Sequence, residues 1–186
     1  MFNITVDEQE LLAATVGEPP KTYQPVVIAE YDPAWPRVFE REAARIRGAL
    51  GERALRIDHV GSTAVPGLAA KPIIDINLVV ADTTDEAAYV PQLEAAGYVL
   101  RVREPEWFEH RMFRGDEPRV NLHVYSVGCE EVERMARFRD HLCASAADRE
   151  LYEHTKRELA AKEWKYVQNY ADAKSAVVQE ILGRAV

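Results

Sequence analysis

Two short stretches carry residue types able to do chemistry. The run Ile73-Ile74-Asp75-Ile76-Asn77-Leu78-Val79-Val80 is rich in β-branched residues and reads as a strand. Side chains alternate along a strand. Ile74, Ile76, Leu78 and Val80 therefore share one face, and Asp75 and Asn77 share the other, between Ile73 and Val79. A strand apolar on both faces is a central one, and a carboxylate there must be paired or bound to a cation. Asp75 is thus either a metal ligand or a carboxylate satisfied by a neighbouring Arg or by helix-end amides. Before it, His59-Val60-Gly61-Ser62-Thr63-Ala64 ends another strand in Gly-Ser. Such a turn offers unobstructed backbone N–H groups and a hydroxyl, a cradle for an oxyanion or phosphate. Most Gly-Ser turns, however, are only turns.

Further candidates lie later in the chain. In Val120-Asn121-Leu122-His123-Val124-Tyr125 the alternation puts Asn121, His123 and Tyr125 on one face. His123 could ligate metal or accept a proton, or it could be a half-buried ring hydrogen-bonded within the sheet. Arg101, Arg103, Arg111, Arg114 and Arg119 are balanced by Glu104, Glu106, Glu109, Asp116 and Glu117. Most of these read as solvated ion pairs of small weight, with one or both of Arg111 and Arg114 expected to face a pocket. Lys71 is either a surface loop lysine or a ligand for an anion. Near the end, Trp164, Val167, Ala171, Val178 and Ile181 make an inward helical stripe that includes Lys174, with Tyr170 one turn before it. Lys174 either snorkels to solvent or meets an anion, which would be Asp75 or a ligand phosphate. Trp164, Tyr166 and Tyr170 read as packing.

The elements that must position these residues follow from the pattern. Residues 1–24 form an arm, with a short helix over Val6–Val16 broken by Gly17, Pro19 and Pro20. A single domain spans 25–186. Val26-Val27-Ile28 predicts a strand within Gln24–Tyr31. Asp32 and Pro33 open a helix whose inward face is Trp35, Val38, Phe39, Ile46, Ala49 and Leu50, ended by Gly51. Arg53–Val60 predicts the strand before Gly61. Thr83 and Glu86 form a capping-box pattern for a helix that Gly97 ends. Pro91 requires that helix to start late or kink. Tyr98–Val102, Trp107–Arg114 and Val120–Val127 predict three more strands, and helices follow over 130–143, 147–162 and 164–183. The order predicts an α+β fold, a mixed sheet flanked by helices with a C-terminal helical tail.

Composition sets the class of partner. The chain has 186 residues, 47% hydrophobic and 29% charged, enough for one domain with a real core. Lys and Arg number 23 against 31 Asp and Glu, a net charge of −8. An acidic protein is a poor general binder of long nucleic acid or of an anionic membrane, although a local basic pocket is allowed. Cys129 and Cys143 are the only cysteines, no run approaches the ~18 apolar residues of a membrane span, and Met1–Glu10 lacks the pattern of a signal peptide. These features predict a cytoplasmic protein without a disulfide framework.

Gly-Ser after one strand and Asp75 on the next resembles the nucleotidyltransferase superfamily, the polymerase-β-like fold. More narrowly, His59-Val60-Gly61-Ser62-Thr63-Ala64-Val65-Pro66-Gly67-Leu68-Ala69-Ala70-Lys71-Pro72-Ile73-Ile74-Asp75-Ile76 resembles the signature of the GrpB family, also called UPF0157. The resemblance continues through Asn121-Leu122-His123-Val124 and the tail Trp164–Lys174, covering about Val26 to Leu182. It implies a nucleotidyltransferase-like fold. It further implies that Gly61 and Ser62 hold a nucleotide triphosphate, with Lys71, Arg111, Arg114 and Lys174 as candidate phosphate contacts. Asp75, with the residue two later, would ligate Mg²⁺. Two departures bear on the chemistry: position 77 is Asn, a weaker ligand for a hard cation than Asp, and the 120–125 strand offers His123 where the superfamily has a further carboxylate. Three functions follow. The first is Mg²⁺-dependent transfer of a nucleoside monophosphate from a nucleoside triphosphate to a small molecule or protein, with Asp75 on metal and His123 as a possible base. The second is a nucleotide- or anion-binding module without catalysis. The third, a metal-dependent hydrolase or ligase using Asp75 and His123, lacks a second His at ligand spacing. The partner expected is a small nucleotide, and the sequence leaves the acceptor and the oligomeric state open.

Overall fold

The computed structural model describes residues 7–185. A five-stranded mixed sheet lies at its centre: β1 (Arg56–Val60), β2 (Ile74–Val80), β3 (Val99–Glu104), β4 (His110–Gly115) and β5 (Val120–Ser126), in the order β1-β2-β5-β4-β3. β2 runs parallel to β5 and antiparallel to β1, and β4 is antiparallel to both β5 and β3. β2 therefore has a strand on each side, as its two apolar faces require. The helices are α1 (Glu8–Ala14), α2 (Trp35–Leu50), α3 (Val90–Ala95), α4 (Glu130–Ala144), α5 (Ala146–Ala160), α6 (Val167–Ala173) and α7 (Ser175–Leu182). The architecture is α+β. Among the described residues no helix is long and apolar enough to cross a membrane.

The alternation of β2 sorts the two faces. Ile74, Ile76, Leu78 and Val80 are buried against Ala43, Ile46 and Leu50 of α2 and Leu93 of α3. Each such side chain contributes about 1.5–3 kcal/mol on burial. The other face is covered by α4, whose Val132 and Met135 pack on Val60, Val79 and Tyr125. Beyond them Phe138 and Leu142, Tyr152 of α5, and Val178 and Ile181 of α7 enclose Val65 and Leu68 from the loop after β1. That cover stops short of the start of β2, where Asp75 remains 29% exposed.

Several local expectations are corrected. Val26-Val27-Ile28 forms no strand; Ala29 alone exchanges two backbone hydrogen bonds with Ala70, at 2.8 and 2.9 Å, and Val27 is exposed. Asp32 accepts from the Ala34 N–H at 2.8 Å in a turn before α2, which begins at Trp35 with Pro36 in its first turn. β1 begins at Arg56, because a 3-10 turn over Gly51–Arg53 precedes it. Thr83 caps no helix: its N–H and hydroxyl both bond the Ser126 hydroxyl at 3.0 Å, and its carbonyl accepts from the Tyr89 hydroxyl. α3 starts late, as Pro91 predicts, at Val90, with Pro91 in the first turn, where a missing N–H is harmless. β4 begins at His110 because Phe108 and Glu109 take positive φ. The long tail helix divides into α6 and α7 at Lys174.

The arm docks on the edge of the sheet. Thr15 bridges Val102, and the Val16 N–H donates to the Arg101 carbonyl at 2.8 Å, covering the exposed edge of β3. Glu8 of α1 accepts from the Tyr166 hydroxyl at 2.8 Å. Met1 to Val6, including the first residue of the expected arm helix, lie outside the described residues.

Candidate functional site

Gly61 and Asp75 meet at the open end of the sheet. Val60, the last residue of β1, pairs with Asp75. Gly61 then turns with φ +69°, a conformation that costs L-residues strain. A Cβ on Gly61 would lie 2.6 Å from Asp75 Oδ2. Only glycine therefore allows the carboxylate to sit against this backbone. Ser62–Ala64 makes a 3-10 turn. Buried Thr63 ties that turn down, donating to the Ile73 carbonyl at 3.3 Å and contacting His59 Nε2 at 3.0 Å. The His59 ring is stacked on Phe39, and burial pushes it down to about 4. Ser62 faces the phenol of Tyr152.

The parallel register of β2 and β5 places Asp75 beside Asn121 and Asn77 beside His123. Asn121 Nδ2 donates to Asp75 Oδ1 at 2.9 Å. His123 Nε2 stands 4.0 Å from the same oxygen, beyond hydrogen-bonding distance. Burial pushes the His123 ring down to about 3, with His110 adding to the shift. A general base works best with a pKa near the operating pH, so burial makes His123 a weak proton acceptor. Asn77 is fully buried beneath α4, its Nδ2 on Met135 Sδ at 3.4 Å and its Oδ1 without a hydrogen-bond partner.

Cationic side chains gather on the same side. Lys71 and Lys174 both approach the Tyr170 ring, Nζ at 5.4 and 4.9 Å from its centroid. Burial pushes Lys71 down to about 8; Lys174, Arg119 and Arg114 add to this, and Asp75 opposes it. Lys174 is likewise lowered by burial, against the pull of Asp75 and Asp172. Behind them Lys156 of α5, 2% exposed, donates to the Ala69 carbonyl and lies 4.9 Å from the Tyr152 ring centroid. Burial and then Lys174 push it down to about 7. Among the described residues none of these three lysines forms an ion pair with a carboxylate. Sequence reading missed Lys156; its signal is the four-residue spacing from Tyr152, which puts both on one face of α5.

Arg111 and Arg114 part company. Arg114 is paired in register with Asn121, on the Asp75 face, and is lowered by burial and then by Arg101 and Arg119. Arg111 lies on the opposite face, buried, with Nε on Glu86 at 2.7 Å; Glu86 also holds Arg103. The expectation of Arg111 in the pocket is corrected: it is held by Glu86 instead. The two-residue period of β4 already separates positions 111 and 114.

The donor set can be tested against Mg²⁺. Among the described residues no three His, Cys, Asp or Glu side chains stand together as a metal group. Asp75 is one partly exposed carboxylate, and the β5 face offers Asn121, His123 and Tyr125 rather than a second. Such a set fits one Mg²⁺ whose coordination a bound polyphosphate completes. It does not fit a pair of ions.

Comparison with known proteins agrees with the sequence block. The GrpB protein family model matches residues 25–184. A UPF0157 protein of Halalkalibacterium halodurans is 57% identical over 178 residues, 96% of this chain and 91% of that one. The crystal structure of conserved protein GrpB from Enterococcus faecalis superposes at TM-score 0.71 with 31% identity, covering 86% of this chain and 96% of that one. A Cid1 poly(U) polymerase chain aligns more weakly, at TM-score 0.42 and 12% identity, over 62% of this chain and 41% of that one. The chain belongs to the GrpB family.

Proposed function

We propose that this protein binds a nucleoside triphosphate at Gly61, Ser62, Lys71 and Lys174 and transfers its nucleoside monophosphate to a small-molecule or protein acceptor. The observation that carries the reading is the half-buried pair Lys71 and Lys174, which stands in the field of Asp75 near the Gly61-Ser62 turn and, among the described residues, forms no ion pair with a carboxylate. Two desolvated cations that share the field of Asp75 without a direct ion pair are costly, and a polyphosphate would supply further negative charge. The N–H groups of the Ser62 turn and the serine hydroxyl suit phosphate oxygens. Arg114 extends the positive edge. Asp75 would hold Mg²⁺, which when bound neutralises charge developing on the transferred phosphoryl group. Asn121 keeps Asp75 oriented by its 2.9 Å hydrogen bond. The α-phosphate is the expected point of attack and pyrophosphate the leaving group.

A second reading, binding without transfer, is favoured by one observation: Asn77 is sealed beneath Met135 rather than presented beside Asp75. Calorimetry with each nucleoside triphosphate, with and without Mg²⁺, separates the two when joined to a pyrophosphate-release assay over an acceptor library. Transfer predicts Mg²⁺-dependent affinity and pyrophosphate that disappears in Asp75→Ala. Binding without pyrophosphate selects the second reading, and no nucleotide binding overturns both.

A further inference from the structure

The carboxylate of Glu104, the rings of His110 and His123, and Asp75 form a line through the sheet. His110 Nδ1 is 2.7 Å from Glu104 Oε2, and His110 Nε2 is 3.0 Å from His123 Nδ1. The two rings are within 20° of coplanar with centroids 5.1 Å apart, the arrangement of an in-plane N–H···N bond. Trp107 meets His110 edge-on and Tyr125 stacks on it.

The tautomers along this line follow from the ionisation of Glu104. Burial raises the Glu104 carboxyl; in its ionised form it only accepts hydrogen bonds, and His110 then carries its proton on Nδ1 and offers a lone pair at Nε2. His123 must then donate from Nδ1, which leaves the lone pair of its Nε2 facing Asp75. Two acceptors, a carboxylate oxygen and an imidazole nitrogen, therefore stand 4.0 Å apart without a proton between them. A third acceptor on the same face, Asn77 Oδ1, is buried without a hydrogen-bond partner among the described residues, and its residue is the register neighbour of His123. A buried acceptor without a donor is rare in a folded protein.

We infer that Asp75 and His123 form a cation site with one nitrogen donor, suited to a divalent first-row transition ion in preference to Mg²⁺. The inference rests on the reading of Asp75 as a cation ligand, and it is independent of nucleotide transfer. Mg²⁺ demands oxygen ligands, whereas imidazole nitrogen favours ions later in the row. Bonds of about 2.1 Å from one ion to each atom span the gap with a small side-chain adjustment. His110 and Glu104 are positioning residues, because they fix which nitrogen of His123 is free.

The test uses the whole protein and Mn²⁺ alone, without nucleotide. One Mn²⁺ is expected to bind, and pulsed electron paramagnetic resonance of the bound ion should show ¹⁴N modulation from a coordinated imidazole. Near-stoichiometric Zn²⁺ should displace it, and a tenfold excess of Mg²⁺ should not. The modulation should vanish in His123→Ala. It should persist in His110→Gln, whose amide oxygen can accept from His123, while His110→Phe should weaken binding by about 10–100-fold. Absence of Mn²⁺ binding, bound Mn²⁺ without nitrogen modulation, displacement by equimolar Mg²⁺, or ¹⁵N spectra placing the proton on His123 Nε2 would each overturn the inference. The wild-type spectra and the competition need no variant. Nucleotide affinity measured alongside shows whether the phosphate site stands or falls separately.

Discussion

Replacing Lys71 by methionine should stabilise the unliganded protein while weakening its hold on polyphosphate. Burial and neighbouring cations lower Lys71 from 10.5 to about 8. A downward shift of that size corresponds to about 3 kcal/mol. Lys71 is only half-buried, so solvent screening reduces the figure to about 1–3 kcal/mol. The sign follows from proton counts. Between pH 8 and 10.5 the unfolded chain holds a proton that the folded chain has released, so folding stability rises with pH across that window. The stability is fully present above 10.5 and is lost as pH falls through about 8. Lys71→Met has nothing to lose there and keeps the aliphatic stem over Tyr170. At pH 7 its melting temperature should exceed wild type by roughly 3–10 °C, and the gap should narrow steadily toward pH 9.5. Affinity for a nucleoside triphosphate or for tripolyphosphate should fall about 10–100-fold, the loss of one charge-assisted contact. Scanning calorimetry across pH with parallel binding titrations reads both quantities. A melting temperature at or below wild type at pH 7, or a gap independent of pH, would refute the claim that this lysine is held desolvated for an anion.

Other perturbations test the remaining parts. Gly61→Ala should cost about 2–4 kcal/mol in urea unfolding, through positive φ and the 2.6 Å contact with Asp75 Oδ2, and should abolish polyphosphate binding. Arg111→Gln should cost about 1–3 kcal/mol by breaking its bond to Glu86 yet leave binding unchanged, while Arg114→Gln should do the reverse. His59, lowered by burial to about 4, and His110 and His123, lowered to about 3, stay neutral in the fold; stability present above pH 6.5 should fall as pH drops toward 3, by about 2 kcal/mol per ring at pH 5, a slope that urea titrations of His110→Gln should reduce by about a third. Asn77→Asp buries a carboxylate beneath Met135 and should cost about 3 kcal/mol or more in metal-free buffer, with Mn²⁺ restoring part of the loss in a thermal melt.

Much of this site was legible because strands alternate. The period of two in 73–80 put Asp75 and Asn77 on one face, and the same period in 120–125 put Asn121 and His123 on one face. What it could not supply was the pairing, since a parallel β2–β5 register is a tertiary fact. The specific block from His59 to Ile76 indicated that Gly61 and Asp75 belong together, and the close contact at Gly61 shows how. The unread parts share a cause. Val26-Val27-Ile28 has strand propensity but gains only the Ala29–Ala70 bridge, because propensity yields to available partners. Lys174 was placed inside one long helix, yet the break between α6 and α7 puts it at a junction over Tyr170. His110, Glu104 and Lys156 gain meaning only from what they face across the fold.

The net charge of −8 and the cluster of lysines are two halves of one selection. A long polyanion would have to lie along an acidic surface, and repulsion along its length would outweigh contacts at one end. A small polyphosphate, the proposed ligand, would meet only the local field of Lys71, Lys174 and Lys156, where desolvation strengthens each interaction. That same desolvation lowers all three lysines, a cost to folding that a bound anion would relieve. Asp75 sits within this cluster as the one charge that favours keeping Lys71 protonated. A cation on Asp75 would remove that support unless its ligand brought negative charge of its own. Cation and polyphosphate should therefore bind with positive coupling, each raising the affinity for the other.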